Sequence, residues 1–491
     1  MTTPHAEPAQ RPPIAALELG RPFDGRITAA IALVVGALVA VVVGYLVVAG
    51  EVQLAVGAAV ALPVAAFVIR DPFVGVMLWV LVMPYFVSLS AETGPVVWAL
   101  HRIGIPALIV LTAVHARLGW RRWGLRIGFV DVMAGAFIVI GFVNVWLFAP
   151  NPIRMTASFY DKLVVPIAIF WLLRALAPRR REIMALVAAG SVTITIEATI
   201  GILSWVAPSI LPSGWLGRAG ERTTGTLGGP GPFTITLVLF ALLAIHAASQ
   251  TEAVRQRAML LGTALLAAIA VFLSLSRGSW LGGGLALAGM AVVHRRLVGI
   301  GAVIGLVVLI GLSVGPLADQ FAFAQERISD ADTVESRIIT NDAATRMIEA
   351  RPVTGFGFGN FERFDESFKR RVGDIPLKLG GSAHNTYLNM LAELGIPATA
   401  LYVGIPALLL VTTVRRWREL PTEGLLSRWF VVVLWLAALD QLVVQNFLEM
   451  IHASFWGTSI WWLTLGLIAT MLDRALVEPS NATAPVPQRA R

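Results

Sequence analysis

From Ile27 to Leu472 the chain returns repeatedly to apolar runs of roughly 17 to 25 residues, each long enough to cross about 30 Å of hydrocarbon as a helix. In lipid, backbone polar groups must be satisfied within the segment or in a closed barrel, so uninterrupted apolar runs of this length fold as helices. Composition agrees, with 57% hydrophobic and 14% charged residues. The expected fold class is an all-α polytopic membrane protein of about 12–14 transmembrane helices with one large extracytoplasmic helical loop. The expected division is a disordered cytoplasmic tail over 1–26, spans over 27–315, a cap loop over 316–384, the remaining spans over 385–474 and a cytoplasmic tail over 475–491. The opening MTTPHAEPAQRPP has no short apolar core or small-residue cleavage site and does not read as a signal peptide. The chain has no cysteine, which excludes disulfides and thiolate metal sites.

The formal charge of +8 does not point to nucleic acid, because the arginines are spread over short loops between spans. If the N-terminus is cytoplasmic, the inside loops collect the basic clusters at 117–126, 174–181, 255–257, 294–296 and 415–418. The positive-inside rule then sets the orientation, with both termini inside. In this frame Arg277, which interrupts an apolar run in LSLSRGSWLGGG, falls at a tight outer hairpin tip. Gly278 is expected to make the turn, and the flanking serines to be free to bind polar groups.

Residues 316 to 384 form the one large hydrophilic stretch and are expected on the outer face. DTVESRIITNDAATRMIEA (332–350) reads as an amphipathic helix with Ile338, Ile339, Met347 and Ile348 apolar, a capping box from Asp332 and Glu335, and a stop at Pro352. GFGFGNF (355–361) alternates glycine with phenylalanine, which suits a loop pressed against another surface better than a nucleotide cradle. In GGSAHNTYLNMLAELGIPATA, His384 and Asn385 open a helix that enters the next span. A histidine there has a near-neutral pKa suited to proton transfer.

His384 and Asn385, followed after nine residues by GIPAT (395–399), resemble the outer-loop motif of the O-antigen ligase and polymerase superfamily. Ala398 stands where the second glycine of that motif is usual. SRGSWLG resembles the family's arginine-bearing hairpin, ERTTGTLGGPGPF (221–233) its preceding outer loop, and RPVTGFGFGNF the end of its cap. The resemblance covers roughly 200–415 and implies transfer or polymerisation of a glycan carried on a polyprenyl diphosphate at the outer face of the bacterial inner membrane. It implies Arg222 and Arg277 on the diphosphate, where guanidinium forks suit phosphate oxygens, and His384 as base for the acceptor hydroxyl. Arg218 and Arg351 are further arginine candidates; Asn385 and Tyr387, like Glu221, are candidates for shaping the pocket. The implied partners are the lipid-linked oligosaccharide donor, a glycan or lipid acceptor and membrane lipids, with no nucleic acid and no cofactor. A DAD sequence (330–332) raises the possibility of a metal, but Asp332 is accounted for as a helix cap and arginines supply the compensating charge, so metal independence is expected. The competing class is a lipid-linked sugar flippase or secondary transporter, for which the mid-span acids Glu197 and Asp440 would be proton or ion sites; their other reading is hydrogen bonding between helices, Asp440 with Gln441 or Gln445. Ligase and polymerase share donor and residues, and the sequence leaves them open.

Overall fold

The computed structural model describes residues 63–87, 97–212, 215, 222–314, 332–373, 375 and 383–475. The expected span at 27–49, most of that at 52–69 and both tails fall outside them. Regular structure among the described residues is helical throughout, apart from one isolated bridge between Val372 and Ile375. In chain order the helices are α1 (Pro72–Val82), α2 (Gly104–Arg117), α3 (Phe129–Phe148), α4 (Pro152–Phe159), α5 (Val165–Leu176), α6 (Arg180–Val206), α7 (Pro230–Ser249), α8 (Val254–Leu273), α9 (Arg277–Val293) and α10 (Arg295–Val314). There follow α11 (Asp332–Ala350), α12 (Phe361–Phe368), α13 (Thr386–Arg415), α14 (Arg428–Phe447) and α15 (Phe455–Ala475). Eight helices among the described residues are long and apolar enough to cross a membrane: α3, α6, α7, α8, α13, α14, α15 and the helix Ala99–Arg117 that contains α2. The protein is an all-α polytopic membrane protein. The span expected at 163–177 begins earlier, because α4 runs through a π turn at Tyr160–Val164 straight into α5.

A small unit comprises, among the described residues, 63–71 and 113–122; in it Arg121 pairs with Asp71 at 3.1 Å and His115 Nε2 donates to the Ile69 carbonyl at 2.8 Å. Everything below lies in the large unit. At its centre stand α7 and α15, whose apolar windows are wholly buried. A helix that is hydrophobic all round has no face to offer water and is surrounded by other helices. Accordingly α5 packs along α15, and α6 and α8 along α7. The pair α9 and α14 approaches closely through glycines: a Cβ at Gly278 would lie 2.7 Å from Phe447, and one at Gly282 would lie 2.6 Å from Asp440 Oδ1.

α13 breaks at Gly395, which has φ +78 and ψ 175. Such a break frees backbone groups that lipid cannot satisfy, and the loop after α11 takes them up. Ile396 N donates to the Pro352 carbonyl at 2.8 Å, Phe356 N to that of Ala392 at 2.9 Å and Gly357 N to that of Glu393 at 2.8 Å. Thus RPVTGFG and ELGIP, far apart in sequence, form one joint. At the opposite end of the bundle arginines close helix C-termini, as cations there should. Arg174 pairs with Asp131 and, at 2.8 Å, with Asp473, while Arg474 Nη2 donates to the Ala177 carbonyl at 2.9 Å and Arg416 Nη1 to that of Leu472 at 3.4 Å.

Candidate active site

The hairpin between α8 and α9 turns at Leu275, a non-glycine residue at φ +51, so the expected role of Gly278 in the turn is corrected. Gly278 instead makes room for Phe447, and Arg277 is already the first residue of α9. The flanking serines are buried and locked into the helix junction rather than offered to a ligand. Ser279 Oγ lies 2.9 Å from Ser276 Oγ and 2.7 Å from Thr234 Oγ1, and Trp280 stacks on Phe272. Between buried residues on either side, Arg277 alone from Leu273 to Ser279 is exposed. The hairpin is a rigid mount for one cation.

Arg222 is half-buried and opens a loop fixed by its own threonines. Trp205 Nε1 donates to Thr223 Oγ1 at 2.5 Å, and Thr226 N donates to Glu197 Oε2 at 2.9 Å. Left-handed Gly225 (φ +54) and Gly228 (φ +73) let the loop bend back into α7.

The cap helix α11 buries Ile339, Ala343, Ala344 and Met347, whereas Ile338, expected on its apolar face, is exposed. Its core is completed by Phe356 and Phe361 from the glycine-rich loop and by Ala383 and Ala392. Gly355, Gly357 and Gly359 are all left-handed, and the phenylalanines between them face inward, so the loop is a packing device, as its alternation suggested. Asn144 of α3 pins it from below: its Nδ2 donates to the Thr354 carbonyl at 2.7 Å and its Oδ1 accepts from Phe358 N at 2.9 Å. Glu393 holds it from the side, with Oε1 accepting from Phe361 N at 3.0 Å and Oε2 meeting His452 Nε2 at 2.7 Å. The anchored face of α11 leaves half-buried Arg337 on the other side, its Nε without a hydrogen-bond partner among the described residues.

His384 adopts φ +46, the left-handed region that histidine enters only when its surroundings hold it there. Those surroundings are explicit. Asn385 caps α13, its Oδ1 accepting from Tyr387 N and Leu388 N at 3.0 Å each. Thr386 Oγ1 donates to the Leu448 carbonyl at 2.9 Å and accepts from Met450 N at 3.0 Å.

Four basic groups from four separate segments converge here. Burial, then Arg337 and Arg222, lower the His384 pKa below its ordinary value, and burial, then Arg277, lower that of Arg337. A neutral imidazole among arginines can take a proton but resists holding one. Concentrated positive charge with a base inside it can receive an anion and deprotonate a neighbouring hydroxyl.

Other candidates are placed differently. Arg351 lies over the Phe356 ring at 4.7 Å, at the other end of α11 from Arg337. Tyr387 is half-buried, its hydroxyl without a partner among the described residues. Arg218, Glu221 and Asp330 lie outside the described residues, and among those described no three His, Asp or Glu side chains group in a way that could hold a metal. Glu197 bonds the Arg222 loop. Asp440 does not pair with Gln441, which bonds Thr464 Oγ1 at 2.9 Å; both Asp440 oxygens lack partners among the described residues. Arg337 is the site residue that sequence reasoning missed. In DTVESRIIT it is one charge on the polar face of an amphipathic helix, and only the docking of that helix sets it beside Arg277 and His384.

Residues 262–403 match the family model described as O-antigen ligase. The matched stretch runs from α8 through the Arg277 hairpin and the cap helix with Arg337 to His384 and the break in α13. No curated protein matches the chain.

Proposed function

We propose that this chain, whose residues 262–403 match the family model described as O-antigen ligase, transfers or polymerises a polyprenyl-diphosphate-linked glycan onto an acceptor hydroxyl. The convergence of Arg222, Arg277, Arg337 and His384 carries the proposal. The acceptor oxygen attacks the anomeric carbon while the bond from that carbon to the diphosphate oxygen breaks. The bonding electron pair leaves with the diphosphate, whose growing negative charge Arg222, Arg277 and Arg337 stabilise. The hydroxyl proton passes to His384. Preorganised cations in a partly dry site favour the charge of the transition state over that of the intact donor, typically by about 3 kcal/mol per donor group. Guanidinium supplies the fork that phosphate oxygens accept. The basic loops at the opposite end of the bundle favour a cytoplasmic position for that end, which supports the reading of the site at the outer face of the inner membrane.

A second reading, movement of lipid-linked sugar across the bilayer, draws on Asp440, whose buried carboxyl, without a partner among the described residues, is the candidate proton site. One preparation separates the two. Purified protein in vesicles is given a defined polyprenyl-diphosphate oligosaccharide and an acceptor, and products are analysed by mass spectrometry. A new glycosidic bond that disappears in His384→Ala and Arg277→Ala supports transfer; full transfer by both folded variants ends the catalytic assignment. Movement of donor across the vesicle without a new bond favours the second reading.

A further inference from the structure

Glu197 sits in the middle of α6, with no exposed surface. The carboxyl group reaches the Arg222 loop. Oε2 accepts from Thr226 N at 2.9 Å, and Oε1 lies 2.5 Å from Thr226 Oγ1. That hydroxyl also lies 2.9 Å from the Pro84 carbonyl. Thr226 has one hydroxyl hydrogen for two oxygen neighbours. A carbonyl can only accept. If the hydroxyl hydrogen goes to Pro84, the short contact to Glu197 needs a hydrogen on the carboxyl. An ionised carboxylate this deep in an apolar helix would carry a heavy desolvation cost, whereas a neutral acid needs only the hydrogen bonds it has.

We propose that Glu197, in its protonated form, is a positioning residue that fastens the Arg222 loop to α6 and so holds Arg222 beside His384. The inference rests on the reading of Arg222 as a diphosphate contact. Gly225 belongs to the same device: it is left-handed, and the carboxyl occupies the space a Cβ would need. Thr223 makes a second attachment, accepting from Trp205 Nε1 of the same helix. With Thr223 and Thr226 both tied to α6, the backbone directly after Arg222 has a single placement. The mid-span acid is thereby accounted for without transport: its proton completes a hydrogen-bond network and never leaves.

The test uses the full chain in lipid nanodiscs and reads two quantities, hydrogen–deuterium exchange of 222–228 and kcat/KM for glycan transfer. Glu197→Gln keeps an acceptor for Thr226 N and offers an N–H to Thr226 Oγ1, so both quantities are expected to stay near those of the parent protein. Glu197→Ala is expected to accelerate exchange at Thr226 and to lower kcat/KM about 100-fold, the effect of a displaced substrate-binding group. Combined with Arg222→Ala it should add little, because both changes remove the same contact. Glutamine behaving as badly as alanine overturns the protonated form. An unchanged loop in Glu197→Ala overturns the attachment, and fully additive losses overturn the positioning role. Should Glu197→Ala fail to fold, Thr226→Val removes the same hydroxyl bond and is expected to open the loop; unchanged exchange there overturns the attachment equally. Exchange is read without turnover, so an inactive parent protein would refute the transferase reading while leaving the attachment to be judged by itself.

Discussion

The His384 imidazole is kept neutral by burial and by the arginines beside it, and this gives the proposed base a definite pH behaviour. Its folded-state pKa lies below the ordinary value of about 6.5. The rate is therefore expected to be flat through neutral pH and to fall on the acid side, below that value, as the base takes a proton. A pH profile of kcat/KM, which reports the free enzyme, checks this; an acid limb centred above the ordinary value, or one unchanged in His384→Gln, would sink the assignment. Arg337 gives a second residue-scale prediction. Arg337→Ala should lower kcat/KM by about 100-fold to 1,000-fold, the usual loss of one preorganised donor, with the unfolding midpoint unchanged. Arg337→Lys should recover only part of it, because an ammonium lacks the planar fork. Arg277 is visible in the sequence because it interrupts an apolar run, and His384 because it opens the helix that enters the next span. Arg337 is not, because a charge on the polar face of a cap helix looks like any other until the helix docks.

Between elements, the governing feature is the joint where the break in α13 meets the loop after α11. Gly395 has positive φ, and a Cβ there would run into the Val353 carbonyl. Gly395→Ala should cost about 1–3 kcal/mol, as overpacking does, read as a lowered thermal midpoint in detergent; an unchanged midpoint would show that the joint relaxes freely. Of the two small-residue positions in this motif, Ala398 is buried in the helix, while Gly395 breaks it. The break cannot be read locally, since the carbonyls and N–H groups that compensate it come from 352–357. Glu393 and His452 add a pH-sensitive clamp to the same joint. Burial lowers the His452 pKa, but the Glu393 and Glu449 carboxylates outweigh it, and the net shift is upward. The bonded, protonated form therefore contributes stability that is complete below the ordinary histidine value and is lost as pH rises through the higher folded value. Limited proteolysis of 361–373 should quicken over that rise, and Glu393→Gln should weaken the pH dependence. Equal pH dependence in the variant would refute the clamp.

At the scale of the whole molecule, the two ends of the bundle differ in what their arginines do. At one end Arg174 meets two aspartates while Arg416 and Arg474 bond carbonyls at helix C-termini; at the other Arg222, Arg277 and Arg337 converge with His384. The proposed orientation can be tested cleanly because the chain has no cysteine. A single cysteine at exposed Glu362 should react with a membrane-impermeant maleimide added outside intact cells, and one at exposed Glu423 should not. The reverse pattern would invert the topology and move the site to the cytoplasm.

The membrane class, the helical architecture, the shared end of the bundle for His384 and Arg277, and the family resemblance are legible in the residues alone. These follow from the length of apolar runs, the side on which arginines fall and short motifs, all of which are local. The tertiary structure decided that Leu275 rather than Gly278 turns the hairpin, that its serines are sealed, that Arg337 joins the cations and that Glu197 serves the Arg222 loop. Apart from the turn at Leu275, each depends on which segments meet across a long stretch of chain, and a side chain's hydrogen-bond partners there are fixed by packing, not by its neighbours in sequence.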